Sequence, residues 1–310
     1  MMQIRQLRRV RQIGRAVLAA TAATAAMSLV AACSSISSSG SGTAASASTG
    51  SASGTAAAAA CSNAAIQPEL YAKGQLTVAT DSPAYSPWFD NNQPANGKGY
   101  ESAVAYAVAT QLGFSQAQVK WVTEPFDSSY APGPKKFDFD VNEISYSASR
   151  AQAVTFSDSY YDVQQSLVAL KGSAIATRHA PADLKGYVFG DQIGSTSLSF
   201  INDSIQPAQT PKVFNTLNDV AQALAAKQIA ALVADTPTAQ YITSSAEIPH
   251  SVLVGQFPST GDHFGLLFSK GNPLVSCVNQ ALATLKANGT LAALQKKYLQ
   301  VYLTVPTIKP

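Results

Sequence analysis

The chain has 310 residues, 46% of them hydrophobic and 13% charged, which suits about two globular domains with buried cores. The formal net charge of +3 arises in the first 32 residues, where Arg5, Arg8, Arg9, Arg11 and Arg15 have no acidic counterpart. The rest of the chain holds 16 basic against 18 acidic residues, which excludes the basic surplus of a nucleic-acid binder.

Residues 1–15 form a positive n-region, and Ala16 to Ala32 is an apolar run without charge that ends at Val30-Ala31-Ala32 before Cys33. This is the layout of a secretory signal peptide over 1–32. The small residues before Cys33 resemble a bacterial lipobox, which predicts lipidation of Cys33 as the first mature residue. A run of 17 residues is short for a membrane span. Residues 33–60 are almost entirely Ser, Ala, Gly and Thr. Such a segment cannot bury enough apolar surface to fold, and as a tether it reaches about 30 Å.

The folded part is predicted to start near Cys61. Leu76 to Thr80 reads as a strand followed by Asp81, and Ser82 to Phe89 as a loop with two prolines and three aromatics. Val104, Val108 and Leu112 give one helical face, stopped at Gly113. Gln118 to Thr123 and Gln165 to Leu170 read as strands, with a loop at Glu124 to Lys136. A second unit follows: a strand at Tyr187 to Ile193, Gly194-Ser195-Thr196-Ser197, a helix around Leu198 to Asn202, an amphipathic helix at Leu217 to Lys227, and a buried strand at Ile229 to Ala234 ending in Asp235. Val252 to Val254 and Gly265 to Ser269 read as strands. Asn272-Pro273 opens a helix in the favoured way, and Thr290 to Leu299 forms the last. Strands alternating with helices predict an α/β fold with crossover connections.

The centre of the chain is Phe137 to Tyr161. Its first part, Phe137 to Tyr146, reads as a strand leading into Ser145, Ser147, Ser149 and Arg150, where a short helix begins. Free N–H groups at such an end attract anions, and the Arg150 fork fits a carboxylate with two parallel hydrogen bonds. Ser195 and Thr196 suit a second such contact or an ordinary helix cap. Asp235 is read as a carboxylate at the carboxyl end of a parallel strand, which points into the ligand crevice of α/β proteins; capping before Pro237 is the other reading.

With Cys33 lipidated, Cys61 and Cys277 remain as a pair outside the cytoplasm, which predicts a disulfide between the start of the folded part and the C-terminal helix. His179, His250 and His263 are scattered, so no metal site is expected. No phosphate loop and no nucleophile elbow is present.

The stretches LTVATDS, GKGYESAVAYAVATQLG, ISYSASRAQAVTFSDSYY, DLKGYVFGDQIGSTS, IAALVADTPTAQYI and GNPLVSCVNQALATLKANGTLAALQKKYL together resemble the extracellular solute-binding proteins of ABC importers, family 3, the polar amino-acid binders. The resemblance covers about Gln75 to Leu299. It implies the periplasmic-binding-protein-like fold, two α/β lobes joined by a two-strand hinge, with lobe 1 at 64–168 plus 260–310 and lobe 2 at 169–259. It implies that Arg150 binds the ligand α-carboxylate with Ser145, Ser195 and Thr196, that Asp235 pairs with the α-ammonium, and that Asp81 lies at the pocket. Tyr85 and Phe126 would pack on the ligand side chain, with Trp88 as the alternative to Tyr85.

Two positions depart from the family pattern: Glu143 stands where relatives often carry a small residue, and Ser128 to Lys136 lacks the usual apolar helix. A pocket-facing Glu143 would favour a cationic side chain. The expected partners are an amino acid, ABC permease subunits and, through Cys33, the outer face of the bacterial cell membrane. No cofactor and no nucleic acid is expected, and the protein is expected to be a monomer and not an enzyme. The alternatives are a ligand sensor for a membrane partner and a cyclohexadienyl dehydratase-like lyase on the same fold, with Glu143 as its acid.

Overall fold

The computed structural model describes residues 61–245 and 247–309; the signal peptide, Cys33 and the tether expected over 33–60 lie outside them. Ten strands and nine α-helices form three sheets in two α/β lobes among these residues.

The first sheet has the order β2-β1-β3-β10-β4. Here β1 is Leu76–Thr80, β2 Val119–Thr123, β3 Phe139–Asp140, β4 Val154–Asp162 and β10 His263–Ser269. β1 runs parallel to β2 and β3, and β10 is antiparallel to β3 and β4. All five residues of β1 are buried, because helices cover both faces of this sheet. The helices of this lobe are α1 (Asn63–Ile66), α2 (Tyr100–Gln111), α3 (Phe126–Ser129), α4 (Arg150–Ala153), α8 (Leu274–Ala287) and α9 (Thr290–Tyr298). Val104, Val108 and Leu112 are buried as their spacing predicts. A disulfide joins Cys61 to Cys277 in α8.

The second sheet, β8-β5-β9, is built from Ala231–Asp235, Gln165–Leu170 and Ser251–Gln256, and β6 (Gly190–Gln192) pairs with β7 (Lys212–Phe214) in the third. Their helices are α5 (Thr196–Phe200), α6 (Leu217–Ala225) and α7 (Thr236–Ser244). β5 pairs antiparallel with both β8 and β9. The parallel setting expected for the Asp235 strand is therefore absent from its main pairing; β8 has one parallel bridge, Phe189 to Ala231.

Three further expectations change. The strand predicted over Phe137 to Tyr146 shrinks to β3, because Glu143 takes a left-handed φ of +51°; Ser145 keeps a single bridge to Phe264. The helix opened by Arg150 stops at Ala153, and the nine residues after it form β4, which pairs antiparallel with β10. Residues 165–168, expected in lobe 1, lie in β5 of the second sheet, where Leu167, Val168 and Ala169 are buried and paired with β8 and β9. The C-terminal tail also returns to the second lobe: Thr307 bridges to Gln256, and Ile308 joins the core around Leu167 and Phe257.

Candidate functional site

A cavity of about 440 Å³ lies between the lobes. The first lobe contributes Asp81 after β1, Tyr85, Phe126 and Asp127 of α3, and Asn142 and Glu143 after β3. The second contributes Asp191 and Gln192 of β6, Ser195 to Ser197 at the start of α5, Asn215 to Asn218, Asp235 at the end of β8, and Thr238 in the first turn of α7. Five carboxylates line it (Asp81, Asp127, Glu143, Asp191 and Asp235), and no Lys, Arg or His is among its lining residues.

The acids are held by their neighbours. Asp81 accepts from the backbone N–H of Ser82 at 2.6 Å and of Phe126 at 3.3 Å. Asp235 accepts from the Gln165 side chain at 2.8 Å, and the same amide accepts from Ser197 at 2.7 Å. Asp191, 2% exposed, accepts from the N–H groups of Gln192 and Val233. Glu143 accepts from the Thr238 hydroxyl at 2.8 Å, while its own N–H donates to the buried Glu101 carboxylate at 2.7 Å; the Tyr160 hydroxyl donates to that carboxylate too.

Burial raises Asp81, Asp191, Asp235, Glu143 and Glu101 above their ordinary carboxylate values. Asp191 is pushed up to about 7 and Glu101 to about 8, in both cases chiefly by desolvation. Glu143 and Asp235 are pushed well above their usual values, first by desolvation and then by neighbouring carboxylates, Glu101 and Asp235 for Glu143 and Asp262 for Asp235. Such a cavity is starved of positive charge. A cation entering it would gain several acceptors and relieve their mutual repulsion.

Seven of the ten ligand-contact candidates line this cavity: Asp81, Tyr85, Phe126, Glu143, Ser195, Thr196 and Asp235. Ser195 is also the N-cap of α5, accepting from the Leu198 N–H at 3.0 Å. The structure places the other three elsewhere. Trp88 is wholly buried and packs edge-on against Tyr100, Tyr161 and Phe264. Ser145 passes a hydrogen bond from Thr196 to Asp262, at 3.2 Å on each side. Arg150, 7% exposed, stands beside the cavity rather than on its wall. Its Nη1 donates to the Ser145 carbonyl at 2.7 Å and its Nη2 to the Gly194 carbonyl at 2.8 Å, and its guanidinium lies 4.4 Å from the centre of the Tyr130 ring. Asp191, Gln165, Tyr130 and Thr238 escaped the sequence reading. Asp191 left a signal, an acid inside the apolar strand text YVFGDQI; Thr238 left none.

The family model of the bacterial extracellular solute-binding proteins, family 3, matches residues 76–301. An L-arginine-binding protein of Pseudomonas aeruginosa is 25% identical over 237 residues, covering 72% of this chain and 90% of that protein. A lysine/arginine/ornithine-binding periplasmic protein of Escherichia coli is 25% identical over 247 residues, covering 77% of this chain and 91% of that protein. The solved structure of an ancestral arginine-binding protein bound to glutamine has a TM-score of 0.62 at 28% identity, over 73% of this chain and 98% of that one. The chain belongs to the bacterial extracellular solute-binding proteins, family 3, a family of binding proteins with the two-lobed periplasmic-binding-protein fold.

Proposed function

We propose that this protein is the substrate-binding lipoprotein of an ABC importer, and that it captures an amino acid with a cationic side chain between its lobes and delivers it to a membrane permease. The observation that carries the ligand class is the cavity wall, with five carboxylates and no basic side chain. The names of the arginine-binding and lysine/arginine/ornithine-binding relatives point the same way.

In this reading Asp235 takes the α-ammonium, and the side-chain cation lies toward Glu143 and Asp81. The α-carboxylate reaches Arg150 by displacing the Gly194 carbonyl from Nη2. That exchange favours the ligand, because a charged acceptor binds a guanidinium more strongly than a neutral carbonyl does. Contacts on both lobes make ligand the driver of closure. The lobes are 64–162 with 263–299, and 165–256 with the tail near 305–308. Cys33 carries the lipid, and 34–60 tether the binding unit to the outer face of the cell membrane.

One observation supports a second reading. Both terminal nitrogens of Arg150 are already engaged with carbonyls, which suits a cationic amine that lacks a carboxylate. A thermal-shift screen separates the two, since a ligand that binds only the folded state raises its melting temperature. Arginine, lysine, ornithine and histidine are expected to raise it, with neutral and acidic amino acids and the amines agmatine and putrescine giving less. A larger shift with glutamate or a neutral amino acid overturns the cationic class, and a larger shift with agmatine or putrescine favours the second reading.

A further inference from the structure

Thr238 sits in the first turn of α7 on the second lobe, and its hydroxyl enters between two side chains of the first. It accepts from the Trp88 indole N–H at 2.7 Å and donates to Glu143 Oε2 at 2.8 Å. Neither first-lobe group is free to follow it. Trp88 is wedged among Tyr100, Tyr161 and Phe264, with ring centres 5.2 to 6.1 Å apart, so its N–H points one way. Glu143 has a left-handed backbone, and its N–H is tied to Glu101. When the lobes part, Trp88 loses this partner and Glu143 loses the hydroxyl that orients its carboxylate.

We infer that Thr238 is a positioning residue for ligand capture: its hydroxyl aims the Glu143 carboxylate at the cavity and joins the lobes through Trp88 and Glu143. A hydroxyl has one proton to give. With the Trp88 N–H on one lone pair, that proton goes to Glu143, so the arrangement favours Glu143 as an ionised acceptor. A cationic group reaching Glu143 from the cavity favours the same ionised form. Closure and cation binding therefore strengthen each other through one hydroxyl, and a neutral ligand gains less. This coupling rests on the cationic reading of the cavity; the contact with Trp88 does not.

The chain has two tryptophans, so a Trp121→Phe background leaves Trp88 as the reporter. In that background Thr238→Val removes the hydroxyl at nearly constant shape, and Thr238→Ser keeps it. The Val variant is expected to bind arginine about tenfold more weakly, the worth of one hydrogen bond to a charged group, to lose its preference for arginine over glutamine, and to shift the Trp88 emission without ligand. The Ser variant is expected to restore all three. Arginine affinity and Trp88 emission both unchanged in the Val variant overturn the inference, as does a Ser variant that behaves like Val. If arginine fails to bind the parent protein, the cationic reading fails by itself; Trp88 emission in the ligand-free Val and Ser variants then decides whether Thr238 joins the lobes.

Discussion

Arg150 and Gly194 belong to different lobes, and the arginine Nη2 donates to the glycine carbonyl at 2.8 Å. The approach depends on the glycine. Gly194 has a φ of +69°, and a Cβ there would lie 2.3 Å from the Tyr130 hydroxyl. Gly194→Ala therefore pushes Tyr130 or the whole 194–196 loop away and opens the interface beside Arg150. Ligand affinity is expected to fall by about tenfold or more, from roughly 1 kcal/mol of left-handed strain plus the clash. Calorimetric titration with arginine checks this, and an affinity equal to the parent's refutes it.

Arg150→Ala removes the donor to two carbonyls at once. If the ligand carboxylate also depends on it, binding weakens by roughly 2–5 kcal/mol, the cost of stranding a buried charge partner. A carboxylate-free amine such as agmatine would lose less. Comparing arginine with agmatine on this variant separates loss of the carboxylate contact from loss of the interlobe contact, and equal losses for the two remove the carboxylate role.

Asp140 lies behind the cavity on β3, fully buried, accepting from the Ser129 hydroxyl through one oxygen while the other lacks a partner. Desolvation pushes it up to about 7. An unfolded Asp titrates near 3.9, so between about pH 4 and 7 the native state holds a proton that the unfolded chain has released. The stability from this group is full below the unfolded value and is lost as pH rises through about 7. Glu101, pushed up to about 8 by burial, has the same sign. The ligand-free protein is expected to melt lower at pH 8 than at pH 5. Asp140→Asn keeps an acceptor for Ser129 and should stabilise more at pH 8 than at pH 5, by ~1–3 kcal/mol. A variant that melts no higher than the parent at pH 8 counts against this account.

The extent to which the site was legible in the sequence follows from what a side chain can announce. Val104, Val108 and Leu112 announce a core face by spacing, and they are buried. Asp81 and Asp235 follow strand text and Glu143 stands out as a departure from the family pattern, and all three line the cavity. The hydrogen-bond partners of Arg150 are carbonyls of Ser145 and Gly194, and a backbone carbonyl has no letter of its own. The resemblance offers Trp88 as the alternative to Tyr85, and residue type alone cannot tell an aromatic on a cavity wall from one inside an aromatic cluster. The strand after Phe137 failed because one residue, Glu143, turns left-handed and ends the pairing.

The Cys61–Cys277 bridge spans 216 residues. In the chain-entropy model it stabilises by up to about 5 kcal/mol through the unfolded state. Both half-cystines belong to the first lobe's core or pack against it. Cys277→Ser is therefore expected to lower the melting temperature by about 5–15 °C with little effect on ligand affinity at low temperature. Melting in the presence and absence of reductant checks this; a reductant effect that persists in the variant would assign the loss to some other group.

Glu143→Gln tests the ligand class most directly. The amide keeps the shape, and its carbonyl oxygen still accepts the Thr238 hydroxyl, so the lobes can still close. The charge is gone from a position facing Asp235 and Glu101, both of which now raise the Glu143 pKa by repulsion. Two effects compete. Removing a buried like charge stabilises the ligand-free protein, and removing an anion weakens a bound cation. The first is reduced, because burial and then repulsion from Glu101 and Asp235 already raise the Glu143 pKa and disfavour its charge without ligand. The second acts in the complex, where an arriving guanidinium or ammonium favours the ionised form that the amide cannot supply. Arginine and lysine should therefore lose about tenfold or more in affinity, the scale of a charge-assisted hydrogen bond, while glutamine changes little. An equal loss for arginine and glutamine would place the cationic group away from Glu143 and leave Asp81 and Asp191 as its partners.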